Sequence, residues 1–586
     1  MTGDERRPTA APVPGAVADR LRAAVRAAAP AGTRRGDLAR GLRAAVARRV
    51  PGAAPAPAPA APVDDFPAQY RHWLSRHLPD RIELELMRIE SEGWSDPPTV
   101  GLVLRLRDPR PGLLDETIGA LRAQTYAAWQ LGIAGAGSVG PAVAQVLGEA
   151  TRADARIRLL PEVERGWARD GAPLVALVGE RDRLRPHALH RAVEALRDPR
   201  VGAVYSDEDR LLPSGEPGAP VLKPGWSPEL LLSGNYVGHL TVVRRELLDG
   251  WDGEDEHDLV LRVSERAAER GLAVVHIAEV LCTVAPPEPV APPDGRAIAG
   301  ALARRGIPAS ITPGPLPGWH HVRRPVEGTP PVAIVIPTRD RVELLRECID
   351  SIETLSTHRH RSIVIVDNDS RDPETLRYLG DSPHRVIREP GEFNFARIMN
   401  RAVAEVDADH VVLLNNDITV LTPGWLEAML EHSQRPEVGA VGCRLLLPDG
   451  RVQHEGIALG VGCPALNLDL AACPPLGRVV REVSAVTGAC LMMRRALYAE
   501  MGGLDEQLRV SYNDVDLCLR LGRAGYRVIY TPHAELRHRE SSSRGSLNPP
   551  EDAVRFAARW GHHRTVRDPY LSPHLAWLTP VALRLD

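Results

Sequence analysis

Three apolar runs in the second half of the chain lead into polar side chains. VAIVIP ends at Pro337 and continues as Thr338-Arg339, SIVIV continues as Asp367-Asn368, and HVVLL continues as Asn415-Asn416-Asp417. A carboxylate at the end of a strand accepts a hydrogen bond from a nucleobase N–H or holds a hard divalent cation. One such ending is an ordinary turn, because Asp and Asn start turns, but three in series predict a ligand site.

Two further segments carry residues suited to acid–base or metal chemistry. SYNDVDLCLRL places Asp514 and Asp516 at the start of a predicted amphipathic helix, where capping and the helix dipole alone also favour acids. ELRHRESSSRG places His538 just beyond a predicted strand. A lone histidine is usually structural, so His538 becomes a candidate site residue only if it converges with Asp417.

The elements that must position these residues alternate along the chain. Strand-like runs such as VGLVLRL, LVALV, VAIVIP and HVVLL alternate with amphipathic stretches such as LDETIGALRAQ and ELLRECIDSIETL. Alternating strands and helices predict an α/β fold with mostly parallel sheets. In open sheets of this kind ligands bind at the carboxyl ends of the strands, where the three polar runs stand.

The two halves of the chain repeat each other. GAVYSDEDRLLPSG at 202–215 parallels GAVGCRLLLPDG at 439–450. HDLVLRVSERAAERGLAVVHIAEVL at 257–281 parallels VDLCLRLGRAGYRVIYTPHAEL at 515–536. Internal similarity of this kind predicts that one α/β fold is used twice.

Composition sets outer limits on the function. The net charge is −4, so no global field favours nucleic acid, although residues 1–62 carry 11 arginines against 4 acids. No apolar run approaches the roughly 18 residues that a membrane span needs, and the N-terminus lacks a secretory signal. The seven cysteines form no CxxC pair, which favours a reducing, cytoplasmic setting. Peripheral contact with the inner face of the cell membrane, through the Arg-rich tail or a glycolipid, stays open.

The second half resembles the family 2 inverting glycosyltransferases, which have the GT-A fold. The motifs that carry the resemblance follow one another in order: PTRD, VDNDS, FNFARIMNRAV, LLNNDITVLTPGWL, VTGACLMMRR, YNDVDLCLRLGRAGYRV and ELRHRESSSRG. Over residues 98–545 the chain is similar to bacterial O-antigen and rhamnosyl-type members that often carry two GT-A units. The implied fold is α/β with two tandem GT-A domains, the first of them degenerate.

The resemblance implies transfer of a sugar from a nucleotide-diphosphate-sugar to a hydroxyl of a cell-surface glycan or lipid-linked glycan. Asp514 matches the general base, and Asp417, Asn415 and His538 match positions for Mg²⁺ or Mn²⁺. The implied donor-nucleotide residues are Pro337, Thr338, Arg339, Asp367, Asn368, Asn394, Asn400 and Asn416. The implied acceptor residues are Thr487, Gly488, His454 and Asp516.

The first half matches the family in outline but lacks these side chains. Its counterparts of the three polar runs, the base and the histidine are Arg105-Leu106-Arg107, Gly135-Ala136, Gly179-Glu180-Arg181, Glu256 and Thr283. An arginine at a metal-binding position repels the cation. The first unit is therefore predicted to be non-catalytic, kept for scaffolding or for binding a glycan acceptor.

Two other functions stay open on the sequence alone. A non-catalytic glycan-binding or scaffolding protein would leave both units without turnover. An NAD-dependent oxidoreductase would use GAGSVG at 135–140, which fits GxGxxG and lies between a strand-like run and a helical stretch. Another strand precedes that run, however, so the motif does not occupy the first strand–helix turn of its domain.

The predicted organisation has six segments. They are a disordered Ala/Pro/Arg-rich tail (1–63), a helical lead-in (64–97), the degenerate GT-A-like domain (98–285), a linker with a short helix (286–330), the catalytic GT-A domain (331–545) and a C-terminal helical extension (546–586). The tail is assigned as disordered because its composition cannot build a packed core.

Overall fold

The computed structural model describes residues 66–576 except 161–170, 250, 252–254, 286–293, 461–463, 471–473, 540–548 and 562–567, and it also describes residues 582–583. The predicted tail, part of the predicted linker and parts of the predicted C-terminal extension lie outside the described residues. Within the described residues, no helix is both long enough and apolar enough to cross a membrane.

Two helices precede the first sheet, α1 (Phe66–His77) and α2 (Arg81–Glu92). Asp80 starts α2 through a capping box, because its side chain accepts the N–H of Glu83 while the Glu83 carboxylate accepts the N–H of Asp80. Helix α1 buries Tyr70, whose hydroxyl donates to Asp209 at 2.7 Å. The segment predicted to be a helical lead-in is thus attached to the sheet that follows it.

The first unit covers residues 100–284. Its strands are β1 (Val100–Arg105), β2 (Trp129–Ala134), β3 (Ile157–Leu160), β4 (Leu174–Val178), β5 (Asp182–Leu184), β6 (Val201–Leu211), β7 (Pro217–Val221), β8 (Thr241–Arg244) and β9 (Ala273–Val284). Its helices are α3 (Pro111–Arg122), α4 (Pro141–Ala153), α5 (Ala188–Leu196), α6 (Pro228–Ser233) and α7 (Glu256–Glu269). The strands form one sheet in the order β3-β2-β1-β4-β8-β6-β9-β5, with β7 paired to β6.

A short connecting segment follows. It contains α8 (Arg296–Arg304) and an antiparallel pair, β10 (Ser310–Pro313) and β11 (His320–Arg323). The predicted short helix of the linker corresponds to α8. Its apolar face, with Ile298 and Leu302, packs into a cluster with Leu230 and Tyr236 of the first unit.

The second unit begins at residue 332. Its strands are β12 (Val332–Thr338), β13 (Arg361–Asp367), β14 (Arg385–Arg388), β15 (His410–Leu414), β16 (Ile418–Val420), β17 (Val438–Leu446), β18 (Val452–His454), β19 (Ile457–Leu459), β20 (Ala465–Asn467), β21 (Arg481–Glu482), β22 (Cys490–Arg494) and β23 (Arg527–His538). Its helices are α9 (Val342–Leu355), α10 (Pro373–Asp381), α11 (Phe395–Glu405), α12 (Trp425–Ser433), α13 (Pro474–Arg478), α14 (Arg495–Glu500) and α15 (Asn513–Arg523).

The two large sheets have the same strand order. The second sheet runs β14-β13-β12-β15-β22-β17-β23-β16, with β18 paired to β17. Strand for strand this is the order of the first sheet, and the parallel pairs β1–β4 and β6–β9 correspond to β12–β15 and β17–β23. The predicted α/β class, with one fold used in two tandem units, is confirmed.

The strand registers align the two units residue by residue. Val100 pairs with Leu174 in the first sheet, as Val332 pairs with His410 in the second. Counting along the strands from these pairs places Gly179-Glu180-Arg181 where the second unit has Asn415-Asn416-Asp417. The pairs β1–β2 and β12–β13 likewise place Gly135-Ala136 at the position of Asp367-Asn368.

Helices cover both faces of the second sheet. Strand β12 is buried along its whole length, as a central parallel strand must be. Ile336 packs with Leu345 of α9 on one face, and Val335 packs with Ile398 of α11 on the other. This double cover explains why β12 is a continuous apolar run until it reaches Thr338 at the edge.

A buried carboxylate joins the two units. Glu229 on α6 is 3% exposed and lies 3.0 Å from Arg324 and 2.5 Å from Arg435 of the second unit. Arg527 reaches both Glu229, at 3.4 Å, and the buried Glu482, at 3.3 Å. Burial alone would raise the pKa of Glu229, but the surrounding guanidinium groups hold it well below its usual range.

The C-terminal segment returns to the first unit. Helix α16 (Pro550–Trp560) is followed by a short antiparallel pair, β24 (Leu575–Ala576) and β25 (Ala582–Leu583). The His574 ring lies edge-on to Trp73 of α1, with ring centres 5.0 Å apart. The described part of the segment that was predicted to be helical thus contains one helix and one strand pair.

Candidate active site

Three parallel strands of the second sheet end side by side. Since β13, β12 and β15 are neighbours, their carboxyl ends place Asp367, Thr338 and Asn416 at one edge. The Asn416 amide donates to the Thr338 hydroxyl at 3.2 Å, and the N–H of Asn368 donates to the Thr338 carbonyl at 2.8 Å. Pro337 is buried inside β12 whereas Arg339 is exposed. The structure therefore brings the three predicted polar runs together.

Two buried hydrogen-bond acceptors at this edge have no donor among the described residues. Asp367 is 1% exposed, and its Oδ1 accepts the N–H of Ser370 at 3.0 Å. Its Oδ2 lies 3.6 Å from Arg388 and accepts no hydrogen bond from the described residues. Asn368 donates to the Glu389 carbonyl at 2.8 Å, yet its own Oδ1 also receives no donor from that part of the chain. Buried acceptors of this kind are normally satisfied, so they fit the N–H groups of a ligand.

The loops that carry these side chains hold an unusual backbone shape. Asp340, Arg341 and Asp369 have positive φ angles of 54°, 57° and 64°, a region that side chains other than glycine rarely occupy. The N–H of Asp340 donates to the Ser370 hydroxyl at 2.8 Å, and the Asp340 carboxylate accepts the N–H of Arg371 at 2.7 Å. These bonds tie the two loops together and offset the strain, a pattern common at ligand sites.

The metal residues predicted from the sequence meet at the next strand end. Strand β16 runs antiparallel to β23 and begins with Ile418 opposite His538, which brings Asp417, the residue before the strand, close to the histidine. Nε2 of His538 lies 3.2 Å from Oδ1 of Asp417 and 3.4 Å from the Asn415 amide. Asp417 and His538 are 6% and 8% exposed.

The donor set fits a divalent cation. Oδ1 of Asp417 accepts no hydrogen bond from the described residues, and a carboxylate oxygen and an imidazole nitrogen are ligands that Mn²⁺ accepts. The Asn415 amide adjoins them with its nitrogen Nδ2 toward His538. Nδ1 of His538 is bonded to the Gln453 side chain at 2.8 Å. With Oε1 as the acceptor, Nδ1 carries the proton and Nε2 keeps its lone pair toward Asp417. Sequence reasoning missed Gln453, because β18 lies about 85 residues from β23 in the chain.

Asp514 stands on the first turn of α15. Tyr512, two residues before Asp514, has a φ of 63°, and the chain turns there into the helix. Oδ2 of Asp514 accepts the N–H of Gly488 at 2.7 Å. Asp514 is half-buried.

Two predicted donor residues have structural partners. Asn394 caps α11 by accepting the N–H of Arg397 at 3.0 Å, and its amide donates to the Glu506 carbonyl at 2.8 Å. Asn400 donates to the Leu504 carbonyl at 2.9 Å. Both side chains fix the loop 501–508 against α11. They are therefore placed as supports of the site, and the donor contacts of Asn394 and Asn400 stay a prediction.

Asp516 corrects the acceptor prediction. It is fully buried, and its carboxylate accepts hydrogen bonds from Arg520, Arg559 and Trp560 at 2.8 Å each. These bonds fasten α16 to α15, so Asp516 is a structural anchor and not a residue that faces an acceptor. The first unit retains the same pair within its helix, since Arg262 donates to Asp258 at 2.7 Å.

The other predicted acceptor residues lie beside the metal and base residues. His454 is buried, its Nδ1 is bonded to Asn467 at 2.8 Å, and its Nε2 has no partner among the described residues. Burial lowers the pKa of His454 to about 4, so the ring is neutral at physiological pH. The Thr487 hydroxyl accepts the N–H of Ala489 at 3.2 Å, in the turn that carries Gly488.

Residues 330–562 match the family model described as glycosyltransferase like family 2. This part of the chain is similar to family 2 glycosyltransferases, and it is called the glycosyltransferase domain from here on. The chain is 35% identical over 553 residues to the O-antigen biosynthesis protein RfbC of Myxococcus xanthus, and the match covers 87% of this chain and 42% of that protein. It is 35% identical over 529 residues to the uncharacterised protein y4gI of Sinorhizobium fredii, covering 82% of this chain and 58% of that protein. The chain thus spans about half the length of these two relatives.

Shorter relatives align with one part of the chain. The N-acetylglucosaminyl-diphospho-decaprenol L-rhamnosyltransferase of Mycobacterium tuberculosis is 28% identical over 251 residues, which covers 38% of this chain and 79% of that protein. Among solved structures, the chain is similar to GalNAc-T7 with UDP, GalNAc and Mn²⁺, at 13% identity and a TM-score of 0.35, covering 42% of this chain and 50% of that one.

The first unit lacks the polar edge of the glycosyltransferase domain. Glu180, at the position of Asn416, turns its carboxylate onto the N–H groups of Arg107 and Asp108, both at 3.0 Å. Arg181, at the position of Asp417, donates to Asp108 at 3.1 Å. The loop after β1 is therefore bound by the protein itself, where the glycosyltransferase domain offers acceptors to a ligand.

One alignment within the first unit needs correction. Asp182 of β5 pairs with Val284, as Ile418 pairs with His538 in the glycosyltransferase domain. Val284 therefore holds the histidine position, and not Thr283 as the sequence repeat suggested. The GAGSVG segment follows β2, the second strand of its unit, so Gly135 occupies the position of Asp367.

Proposed function

We propose that the glycosyltransferase domain transfers a sugar, with inversion, from a nucleotide-diphosphate-sugar to a hydroxyl of a cell-surface glycan or glycolipid. The observation that carries the proposal is the convergence of Asp417, Asn415 and His538 at the edge where the strands end. The relatives named for O-antigen biosynthesis and rhamnosyl transfer support a cell-surface glycan as acceptor. Rhamnose is one candidate for the sugar.

The nucleotide would bind over β12 and β13. The open Oδ2 of Asp367 and the open Oδ1 of Asn368 supply acceptors for the N–H and O–H groups of a base and ribose. Thr338 and Asn416 hold each other in place beneath them. The exposed guanidinium of Arg339 is free to move toward a diphosphate, where a charge-assisted bond forms readily.

Asp417, Asn415 and His538 would hold a divalent cation such as Mn²⁺ or Mg²⁺. When bound, the cation would neutralise charge on the leaving diphosphate. Gln453 keeps the His538 ring oriented for that purpose through the 2.8 Å contact with Nδ1.

Asp514 would act as the general base. The acceptor hydroxyl attacks the anomeric carbon as the bond to the diphosphate oxygen breaks, and the diphosphate leaves with the electron pair of that bond. The hydroxyl proton passes to the Asp514 carboxylate, which the N–H of Gly488 holds in place. A single displacement of this kind inverts the configuration and needs no protein nucleophile.

Ligand-dependent thermal unfolding tests the proposal. UDP, dTDP and GDP are offered with and without Mn²⁺, because a ligand at 100 times its dissociation constant stabilises by about 2.7 kcal/mol. We expect one nucleotide to raise the unfolding temperature only with Mn²⁺, and Asp417→Ala to abolish the rise. The matched variant Arg181→Ala, at the same position of the first unit, should leave it unchanged. No Mn²⁺-dependent rise with any nucleotide would refute the proposal.

A further inference from the structure

A cavity of about 630 Å³ lies where the first unit, the connecting segment and the glycosyltransferase domain meet. Its walls include Glu208 and Asn235 of the first unit, Trp319 of the connecting segment and Leu476 of α13. This volume is in the range of about 300–1,000 Å³ that is usual for ligand pockets. None of its lining residues belongs to the edge where β13, β12 and β15 end.

The polar side of the cavity is rigidly built. The Glu208 carboxylate accepts Lys223 Nζ at 2.9 Å and the N–H of His239 at 2.9 Å, and its other oxygen accepts Arg210 at 2.8 Å. The Glu208 and Lys223 side chains are 2% and 1% exposed, and Lys223 is the only lysine of the chain. Burying a charge pair costs free energy that apolar packing would not, so the pair needs another reason for its presence.

The apolar side of the cavity presents fixed aromatic rings. Trp319 lies against the backbone of Gly234, where an added Cβ would come within 2.9 Å of ring atom Cε3. Tyr236 is held by the N–H of Ser227, which donates to its hydroxyl at 2.8 Å. Rigid aromatic faces beside the Asn235 amide suit a sugar ring, whose C–H face packs on an aromatic plane while its hydroxyls bond to a polar group at the edge.

The cavity occupies the half of its unit that corresponds to the acceptor side of the glycosyltransferase domain. It opens beside the hairpin β6–β7, the counterpart of β17–β18, which carries Gln453 and His454. The two regions are also in contact, because Arg481 donates to the Leu476 carbonyl at 2.9 Å and also to the Glu455 carbonyl. A continuous set of contacts therefore runs from the cavity wall to the residue next to His454.

We propose that this cavity binds a saccharide segment of the acceptor glycan, remote from the hydroxyl that reacts. The proposal rests on the proposed function for the identity of the ligand as acceptor, but the binding itself does not need turnover. Saccharide binding would give the first unit a role. This unit lacks the side chains of a donor site, but it has a pocket with polar and aromatic walls on the side that corresponds to the acceptor side. Longer glycans would fill both the reaction site and the cavity.

Binding to immobilised O-antigen oligosaccharides of graded length tests the proposal. The full chain carries Trp319→Ala, Asn235→Ala or the conservative Trp319→Phe, and Leu316→Ala serves as a control, since Leu316 is exposed nearby and does not line the cavity. We expect the native chain to retain the longer oligosaccharides, Trp319→Ala and Asn235→Ala to weaken retention about tenfold or more, and the other two variants to resemble the native chain.

The Mn²⁺-dependent nucleotide shift, measured on the same samples, separates this proposal from the proposed function. The shift should persist in all four variants and confirm that they fold. If the native chain retains no oligosaccharide, or if Trp319→Ala retains it as the native chain does, the cavity is not a saccharide site. If retention depends on Trp319 while the native chain shows no nucleotide shift, the cavity proposal stands and the assignment of donor chemistry fails.

Discussion

The first unit and the glycosyltransferase domain share one strand order, but they differ at the edge where the parallel strands end. In the glycosyltransferase domain Thr338 and Asp367 stand there, and in the first unit the same positions hold Leu106 and Gly135. The strands behind them, β1 and β12, are both largely buried. The apolar pattern therefore preserves the fold, and a small set of side chains at strand ends determines whether a ligand can bind.

The same comparison shows what replaces a ligand. In the first unit the Glu180 carboxylate accepts two loop N–H groups at 3.0 Å. In the glycosyltransferase domain Asn416 takes this position, and the loop is held instead by Ser370, which accepts the N–H of Asp340. In the first unit the ligand site is thus lost, and internal hydrogen bonds satisfy the N–H groups of the loop instead.

The largest expected difference between the units concerns the base. Asp514→Asn should lower kcat/KM for sugar transfer by about 10²–10⁴-fold, because the amide cannot accept the hydroxyl proton. Glu256→Gln changes the same position of the first unit, on the wall of the proposed saccharide cavity, and should leave kcat/KM unchanged for an acceptor too short to reach that cavity. Steady-state kinetics of both variants check this. Equal losses in the two variants would show that the first unit is also catalytic.

Asp516 and its counterpart in the first unit, Asp258, should differ in how much they stabilise the folded protein. Asp516→Asn should lower the free energy of unfolding by about 1.5–3 kcal/mol, because the buried carboxylate that accepts hydrogen bonds from Arg520, Arg559 and Trp560 is replaced by a neutral amide. Asp258 is partly exposed, so Asp258→Asn should cost less. Denaturant titration measures both. A catalytic effect of Asp516→Asn without a loss of stability would restore the acceptor role that the structure does not support.

Acid should also reveal the Asp516 anchor. Burial alone would raise the pKa of Asp516, but hydrogen bonds from Arg559, Trp560 and Arg520 lower it. Its contribution to stability is therefore present above the ordinary carboxyl pKa of about 4 and is lost as the pH falls below it. Asp516→Asn should remove this part of the acid dependence.

A histidine in the first unit provides the opposite pH dependence. Burial alone would lower the pKa of His239, but Asp182, 2.9 Å away, together with Glu208 and Glu256, raises it to about 9. This contribution is complete below pH 6.5 and is lost as the pH rises through 9, by up to about 3 kcal/mol. Ala489 takes the same position in the glycosyltransferase domain, which lacks the effect.

Thermal unfolding between pH 6 and about 10 checks the His239 prediction. The native chain should lose stability across this window, and His239→Gln should show a flatter profile. Identical profiles for the native chain and the variant would mean that the ion pair with Asp182 does not form.

The smallest effect concerns the donor edge itself. Asn416→Glu introduces the side chain of the first unit, which would compete for the loop N–H groups and repel a diphosphate. We expect the dissociation constant for the nucleotide to rise about tenfold, or about 1.4 kcal/mol. Asn416→Gln keeps an amide and should change it less. Calorimetric titration distinguishes the two, and unchanged affinity in Asn416→Glu would remove Asn416 from the site.

The fold was predictable because it depends on periodic patterns. The apolar runs before Thr338 and Asp367 and the internal repeat predicted two α/β units, and the structure confirms them. Side chains at the junctions were harder to interpret. Asn394 caps a helix and Asp516 anchors one, yet both have the residue type and position that a ligand site would use.

Long-range contacts were out of reach of the sequence. The partner of His538, Gln453, lies on another strand, and no local pattern connects the two. The position equivalent to His538 falls at Val284 and not at Thr283 because of bulges between β6 and β9. These bulges change the strand register without changing the sequence motif. Pairing and burial decide these points, and neither is visible in a single sequence.

The central claim is that one unit of the two binds the donor, and the stoichiometry of binding tests it most directly. Calorimetric titration of the full chain with the nucleotide selected by thermal unfolding, in the presence of Mn²⁺, should give one site per chain. Asp417→Ala should abolish that site, and Arg181→Ala should leave it intact. Two sites per chain, or a site that survives Asp417→Ala, would contradict the account.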